Sequence, residues 1–182
     1  MKNEVRIIGG QWKRSKLPVT DRPGLRPTPD RVRETLFNWL GQDLSGWRVL
    51  DAFAGSGALG FEAASRGAGE VQMLEFDPVL VSGLAAVKAR LGADAVQVTR
   101  ADAIAWLARC APLRFELVLL DPPFDTDVFD MSLRLAAPTA VAGGFIYLEA
   151  PREFSASPEG FTRYRHLRAG AVHAHLFARE QG

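Results

Sequence analysis

Apolar runs of strand length alternate with helical segments through most of this chain, and that alternation leaves few folds open. From residue 47 the pattern predicts strand 47–53, helix 58–66, strand 70–76, helix 79–91, strand 95–99, helix 102–109, strand 115–120, helix 127–137 and strand 143–149. Strands separated by helices run parallel, joined by right-handed crossovers. After residue 150 the pattern changes. Segments 161–168 and 171–179, parted only by Ala169-Gly170, predict a hairpin, so the last strand is expected to be antiparallel. The expected fold is α/β and Rossmann-like: a doubly wound, mostly parallel seven-stranded sheet with an antiparallel last strand. A basic N-terminal β-hairpin and a helix precede it.

The first strand ends in a glycine-rich turn, Val49-Leu50-Asp51-Ala52-Phe53-Ala54-Gly55-Ser56-Gly57-Ala58-Leu59-Gly60. Glycines spaced Gly55-x-Gly57-x-x-Gly60 permit a tight turn and close approach of backbone to a nucleotide. The next strand ends at Glu75, about 20 residues beyond Gly55, where an acid binds ribose hydroxyls in such folds. Asp51 argues against a dinucleotide, because a carboxylate there repels a pyrophosphate on the helix N-terminus. It suits a cofactor with a cationic amino-acid end, such as S-adenosylmethionine. Its other reading is a structural carboxylate that accepts N–H bonds from the glycine loop.

A second loop, Asp121-Pro122-Pro123-Phe124, closes the apolar run 115–120. Two prolines cannot donate backbone hydrogen bonds and each locks φ, so the loop is stiff and its carbonyls are free to face a ligand. A carboxylate before them and an aromatic ring after them suit a planar amine. The alternative is a strand-ending turn with a core Phe. Asp102 follows the third parallel strand, where an acid can accept from an adenine amino group; N-capping of the next helix is compatible with that role.

Composition narrows the class. With 182 residues, 47% hydrophobic and 24% charged, the chain is expected to form one domain over 1–182, with a basic arm over 1–27 and a helix plus catalytic core over 28–182. No apolar run reaches the ~20 residues of a membrane span and no secretory signal is legible, so a cytoplasmic protein is expected. A single cysteine, Cys110, excludes an intrachain disulfide framework and a Cys-rich metal site. His166, His173 and His175, without a nearby acid or Cys in the sequence, read as plain strand residues, and no metal is expected.

The net charge of +1 hides an asymmetry. Residues 1–34 carry nine Lys/Arg (Lys2, Arg6, Lys13, Arg14, Lys16, Arg22, Arg26, Arg31, Arg33) against four acids, net +5; the remainder is net −4. A basic arm on a mildly acidic body points to a polyanionic partner, or else to a merely solvated arm. Within it, strands 5–8 and 16–19 flank Gly9-Gly10-Gln11-Trp12-Lys13-Arg14. Two roles fit Trp12: stacking on a base between cations, or packing the arm on the body. Thr28-Pro29-Asp30 reads as a helix start with Thr28 as N-cap, and Arg26, Arg31 and Arg33 are expected to cluster nearby.

Together these residues resemble class I S-adenosylmethionine-dependent methyltransferases and, more narrowly, the RsmD family, which methylates N2 of a guanine in 16S ribosomal RNA. The resemblance covers almost the whole chain. It rests on the two loops and on Arg6-Ile-Ile-Gly-Gly-Gln-Trp, Leu25-Arg-Pro-Thr and Asp30-Arg-Val-Arg-Glu-Thr-Leu-Phe-Asn-Trp-Leu. It implies methyl transfer with S-adenosylhomocysteine as product and no metal. The implied partner is 16S rRNA in a small ribosomal subunit or its assembly intermediate, and the protein is expected to act as a monomer. Asp51, Phe53, Ala54, Gly55, Ser56, Gly57, Glu75 and Phe76 would bind cofactor, with Asp102 and Ala103 near the adenine. Asp121, Pro122, Pro123 and Phe124 would hold the flipped guanine. Arg6, Trp12, Lys13, Arg14, Lys16, Arg26, Thr28, Arg31 and Arg33 would face RNA. Two departures stand out: Pro29 where the family has a small polar residue, and Asp125 and Asp127 where members can be basic.

Other classes compete on the residues alone. A DNA adenine-N6 methyltransferase uses the same tetrapeptide, but usually carries a separate sequence-reading domain. A protein glutamine methyltransferase typically has Asn in the first position, and leaves the basic arm unexplained. A non-catalytic RNA-binding module gives no reason for Asp51, Glu75, Asp102 and Asp121 all at strand ends. A pyrimidine-C5 mechanism lacks a placed nucleophile, since Cys110 lies outside these motifs.

Overall fold

The computed structural model describes residues 4–182; Lys2, counted with the arm's charge, lies outside them. The arm is a two-stranded hairpin, β1 (Glu4–Arg6) and β2 (Lys16–Pro18), followed by α1 (Asp30–Trp39). Then come β3 (Arg48–Asp51), α2 (Ala58–Ser65), β4 (Glu70–Glu75), α3 (Pro78–Leu91), β5 (Val96–Arg100), α4 (Ala103–Leu107), β6 (Phe115–Leu120) and α5 (Phe129–Ala136). The chain ends with β7 (Ala140–Ala150), β8 (Phe161–Ala169) and β9 (Val172–Arg179). The seven-stranded sheet has the order β5-β4-β3-β6-β7-β9-β8. Strands β3 to β7 pair in parallel, and β9 enters antiparallel between β7 and β8.

Two apolar layers cover the sheet. One face packs Leu117, Leu119 and Tyr147 under α1, α2 and α3; the other packs Phe115, Val118 and Leu120 with Leu148 under α4 and α5. Chain order reverses between β3 and β6: β4 and β5 are added on one side, β6 and β7 on the other. Ligands in open α/β sheets bind at the carboxyl ends of the strands beside such a switch point. Asp51 ends β3, and Asp121 directly follows β6.

Several predicted boundaries shift. Strand 47–53 stops at Asp51 because the glycine turn begins there, and helix 102–109 shortens to α4 because Asp102 is its N-cap, accepting from the Ala105 N–H at 2.8 Å. Strand 143–149 begins earlier, at Ala140, after a short 3-10 turn over Ala137–Thr139. Thr28 is not the N-cap of α1. Pro29 holds that position without a side-chain cap, and the Thr28 hydroxyl turns to Asp121.

A buried carboxylate gathers most of the polar contacts that fix the arm to the body. Glu62 lies on α2, every residue of which is buried. One of its oxygens accepts from the Ile8 N–H (2.8 Å) and Arg33 Nη1 (3.2 Å), the other from the Gly9 N–H (2.8 Å) and Arg66 Nε (2.9 Å). Arg33, 0% exposed, also donates to the carbonyls of Arg6 and Thr28 and pairs with Asp30. Gly10 (φ 74°) lets the arm's turn approach α2 closely, since an added Cβ would lie 1.9 Å from the Ser65 carbonyl oxygen. Trp12 is half-buried against the core and its backbone N–H donates to Ser65 Oγ, which is the packing role.

Removing one partner of a buried ion pair leaves the other uncompensated, at a cost of about 3–5 kcal/mol. Glu62→Ala is therefore expected to destabilise the protein by that amount and to loosen the arm. Urea unfolding followed by circular dichroism checks the first, and faster tryptic cleavage at Lys13 or Arg14 under native conditions checks the second.

Candidate functional site

Asp51 pairs with Leu119 across β3 and β6, and Leu119 and Leu120 pair with Tyr147 and Leu148 across β6 and β7. Side chains alternate faces along a strand, so Asp51, Asp121, Tyr147 and Glu149 share one face, at the carboxyl edge of the sheet. This is also the face that the arm and α1 cover. Glu149, only 2% exposed, is the functional candidate that sequence reasoning misses. It lies inside the apolar run of β7, and only the register of β7 against β6 shows that it neighbours Asp121.

Asp51 is 1% exposed. One of its oxygens accepts from the Gly60 N–H at 2.9 Å, and the other has no hydrogen-bond partner among the described residues. Gly60 is required for that contact: an added Cβ would meet Met73 Cε at 2.5 Å and the Asp51 oxygen at 2.9 Å. The structural reading of Asp51 is met by one oxygen, bonded to the loop, and the other oxygen is left free among the described residues. A buried orphan carboxylate oxygen fits a cationic N–H donor, such as the amino-acid end of S-adenosylmethionine. Burial first, opposed by the Gly60 N–H and reinforced by the charge of Glu75, pushes its carboxyl up to about 7.

Glu75 at the end of β4 accepts from the Gly55 N–H at 2.9 Å and from the N–H groups of Phe76 and Asp77, so it braces the glycine turn. Phe53, Gly55 and Ser56 are half-buried, while Ala54 and Gly57 are buried. Phe76 is 66% exposed, a flat apolar face beside the turn. Asp102 is exposed at the end of β5, with Ala103 buried beneath it. These residues lie at the carboxyl ends of β3, β4 and β5, on the same edge of the sheet as Asp51.

Across the switch point, Asp121 is partly exposed, Pro122 is buried and Pro123 is exposed. Burial first, then the charges of Glu149 and Asp51, pushes the Asp121 carboxyl well above the usual carboxylate range; Thr28 and Arg26 oppose that. The Thr28 hydroxyl lies 3.4 Å from Asp121 Oδ2. Phe124 is half-buried: it packs against the apolar layer, meeting Phe129 edge-on, and carries the Arg26 guanidinium 4.1 Å from its ring centre. The segment between β2 and α1 is thereby tied over the site, with Arg22 paired to Asp77 at 3.5 Å and Leu25 set against Gly55.

The predicted cationic surface is only partly present. Arg6, Lys13, Arg14, Lys16, Arg26 and Arg31 are exposed, but Arg33 is buried in the Glu62 network and cannot reach a phosphate, and Thr28 (3% exposed) lies inside the site. A cleft of about 900 Å³, lined among others by Lys13, Asn38 and Arg66, lies at the arm's turn, away from the strand ends. The histidine reading also needs revision, because an acid is near: Glu153, after β7, brings its carboxylate to His166 and His173, all ligand atoms within 4.8 Å of one another. Glu153 is paired with Arg163, and the two imidazoles meet at 3.1 Å. His175 is buried, its Nδ1 donating to the Leu148 carbonyl while Nε2 accepts from the Phe154 N–H; burial pushes it down to about 4.

The elevated Asp51 makes a stability prediction with a definite sign. Its ordinary value is 3.8, so between about pH 4 and pH 7 the folded state holds a proton that the unfolded chain has released. Stability of the ligand-free protein then falls as pH rises through that window. Asp51→Asn is expected to match the parent near pH 3 and to exceed it at pH 8 by a few kcal/mol. Thermal melts at the two pH values check this.

Known proteins are similar to this chain over most of its length. A family model described as conserved hypothetical protein 95 matches residues 5–178. Ribosomal RNA small subunit methyltransferase D of Escherichia coli (strain K12) is 40% identical over 181 residues, 97% of this chain and 91% of that protein. The Haemophilus influenzae protein of the same name is 37% identical over 182 residues, 97% of this chain and 94% of that protein. The solved structure of the putative methyltransferase yhhF from Escherichia coli is similar with a TM-score of 0.88 and 39% identity, covering 98% of this chain and 99% of that one. Arm, glycine turn and proline loop all fall within these matches, and the chain belongs to the conserved hypothetical protein 95 family, the RsmD family of methyltransferases.

Proposed function

We propose that this protein transfers a methyl group from S-adenosylmethionine to the exocyclic N2 amine of a guanine in 16S ribosomal RNA, within the small ribosomal subunit or an assembly intermediate. The observation that carries the reading is the pairing, across the switch point, of a buried carboxylate with a free oxygen, Asp51, and a partly exposed one ahead of two prolines, Asp121. The names of the Escherichia coli and Haemophilus influenzae relatives support ribosomal RNA of the small subunit as the substrate class. In this reading the protein works as a monomer in the cytoplasm, with 28–182 as catalytic core and 1–27 as docking arm.

The cofactor supplies an already activated methyl group, so the protein's task is alignment. Asp51 would bind the amino-acid ammonium, Glu75 the ribose hydroxyls, and Phe76, Asp102 and Ala103 the adenine. Phe53, Ala54, Gly55, Ser56 and Gly57 form the wall between. An exocyclic amine is a weak nucleophile because its lone pair is delocalised into the ring. Asp121 and the Pro122 carbonyl accept its hydrogens and favour a pyramidal nitrogen, with the lone pair turned toward the methyl carbon. Pro122 and Pro123 keep that loop stiff, and Phe124 offers a ring for the flipped base to stack on, offsetting part of the unstacking cost of a few kcal/mol.

Incubation with tritiated S-adenosylmethionine and purified small subunits, free ribosomal RNA or duplex DNA, followed by nucleoside analysis, tests the reading. Labelled N2-methylguanosine from the subunit arm is expected; label confined to N6-methyladenine in DNA would overturn it. Asp121→Ala is expected to lower turnover by roughly 100-fold or more with calorimetric cofactor affinity within a few-fold of the parent. Near-normal turnover in that variant would remove Asp121 from the chemistry.

The arm makes a separate prediction. Arg6, Lys13, Arg14, Lys16, Arg26 and Arg31 present cations from a rigid frame, suited to phosphates. Removing the charges at Arg14 and Lys16 is expected to raise the KM for subunits and to flatten the logarithmic salt dependence of binding by about 0.7–0.9 for each phosphate left unpaired. Cofactor affinity should not change. An unaltered slope and KM would mean that the arm is only solvated.

A further inference from the structure

We infer that Glu149 is a positioning residue that shares a proton with Asp121, so that the two carboxyls act as one acceptor for the proton the target amine sheds. The inference rests on the reading of Asp121 given above. It begins from register. Asp121 and Glu149 are the next residues after the paired Leu120 and Leu148, on adjacent parallel strands and on the same face. Glu149 is buried, and the cation nearest in influence is Arg26, whose guanidinium sits on the Phe124 ring. Its Oε1 accepts from the Tyr147 hydroxyl at 2.8 Å, which fixes the carboxyl's rotation. Asp121 and Thr28, whose hydroxyl lies 3.4 Å from Asp121 Oδ2, are its polar neighbours on the other side.

The charged and titratable groups facing the pair are Asp51 from β3, Tyr147 from β7 and Arg26 from the segment before α1. With Asp51 nearby and the Arg26 guanidinium displaced onto the Phe124 ring, two adjacent carboxylate charges, one of them buried, repel, so the pair holds one proton between its members. Both carboxyls are raised above their ordinary values, burial being the first cause for each; the charge of Glu149 adds to the rise at Asp121, while a hydrogen bond with Asp121 lowers Glu149. Such a pair has a net charge of −1 and room for a second proton.

The transfer then balances. The amine lone pair forms the bond to the methyl carbon, and the carbon–sulfur electron pair stays with the departing thioether. The alkylated nitrogen, now cationic, loses one N–H proton to the outer oxygen of Asp121, while the proton already shared settles on Glu149. When the product base leaves, the proton returns to solvent through the partly exposed Asp121. An isolated Asp121 would be a weaker base and would lack that second acceptor.

The test uses the full-length protein and two variants with opposite expected signs. Glu149→Gln keeps an acceptor for Tyr147 but removes the repelling charge, so the Asp121 titration should move to lower pH. Tyr147→Phe removes a donor that favours ionised Glu149, so the pair's titration should move to higher pH. Carbon-13 NMR of the Asp and Glu carboxyls in ligand-free protein reads both directly, without activity. In methyl transfer to small subunits, Glu149→Gln should lower kcat about 10-fold or more, with KM and cofactor affinity within about threefold, and shift the acid limb of the kcat profile to lower pH. Equal carboxyl titrations in parent and variants, or a kcat for Glu149→Gln at the parental level, would overturn the inference. So would a Glu149→Gln protein that loses cofactor affinity, stability and kcat together without any shift in the profile, since that is a structural role alone. If Glu149→Gln does not fold, the Tyr147→Phe titration decides by itself. A parent enzyme that modifies no guanine at all fails the proposed function instead, and the NMR titration separates the two failures.

Discussion

The buried carboxylate of Glu62 is the interaction on which the arrangement of the whole active face depends. Burying a charge without partners costs several kcal/mol, and here four donors from three parts of the chain meet two oxygens. The backbone of the arm gives two, α1 gives Arg33, and the end of α2 gives Arg66. The same helix begins at the glycine turn and is held by the bond from the Gly60 N–H to Asp51. The glycine turn, the arm and α1 are therefore registered to one element. Exposed cations such as Lys13 and Arg14 are presented from a fixed frame, which matters for any partner whose phosphates are themselves fixed.

A second consequence follows for the segment between β2 and α1. Its prolines keep it stiff, and its contacts span the switch point: Arg22 to Asp77, Leu25 to Gly55, Arg26 to Phe124, Thr28 to Asp121. Both halves of the crevice thus share a wall that continues into the basic arm. A base stacking on Phe124 competes with the Arg26 guanidinium, an interaction worth about 0.5–2 kcal/mol. In the proposed reaction the incoming base displaces that guanidinium from the Phe124 face.

Much of this is legible in the sequence for physical reasons. Parallel strands buried on both faces read as continuous apolar runs, as 115–120 does, and acids that end such runs lie at the ligand edge of the sheet. Asp51, Glu75 and Asp121 stand out on that ground. Residues whose role is set by distant partners do not. Glu62 and Arg33 look like ordinary helix charges until folding places them opposite each other, so by local pattern Arg33 groups with the exposed arginines. Thr28-Pro29-Asp30 has the local signature of a helix cap, but the hydroxyl has a partner 93 residues away. Glu149 and Glu153 are invisible to local pattern because strand register and a loop bring them to Asp121 and to the histidines.

The concentration of acids at one end of the sheet explains more than cofactor binding. Burial raises the proton affinity of Asp51, Asp121 and Glu149, the charge of Glu149 adds to the rise at the other two, and in the ligand-free protein this works against stability. A cation entering the crevice relieves that repulsion, so part of its binding energy comes from charges already assembled there. In the proposed reaction the methyl donor carries a sulfonium and its product a neutral thioether. Negative charge at this edge, that of Asp51 above all, would therefore attract the substrate form more strongly than the product form. Proton uptake by the Asp121–Glu149 pair during transfer weakens that attraction further at the moment the product must leave. In that reading, acids that cost the resting fold some stability favour donor over product through electrostatics.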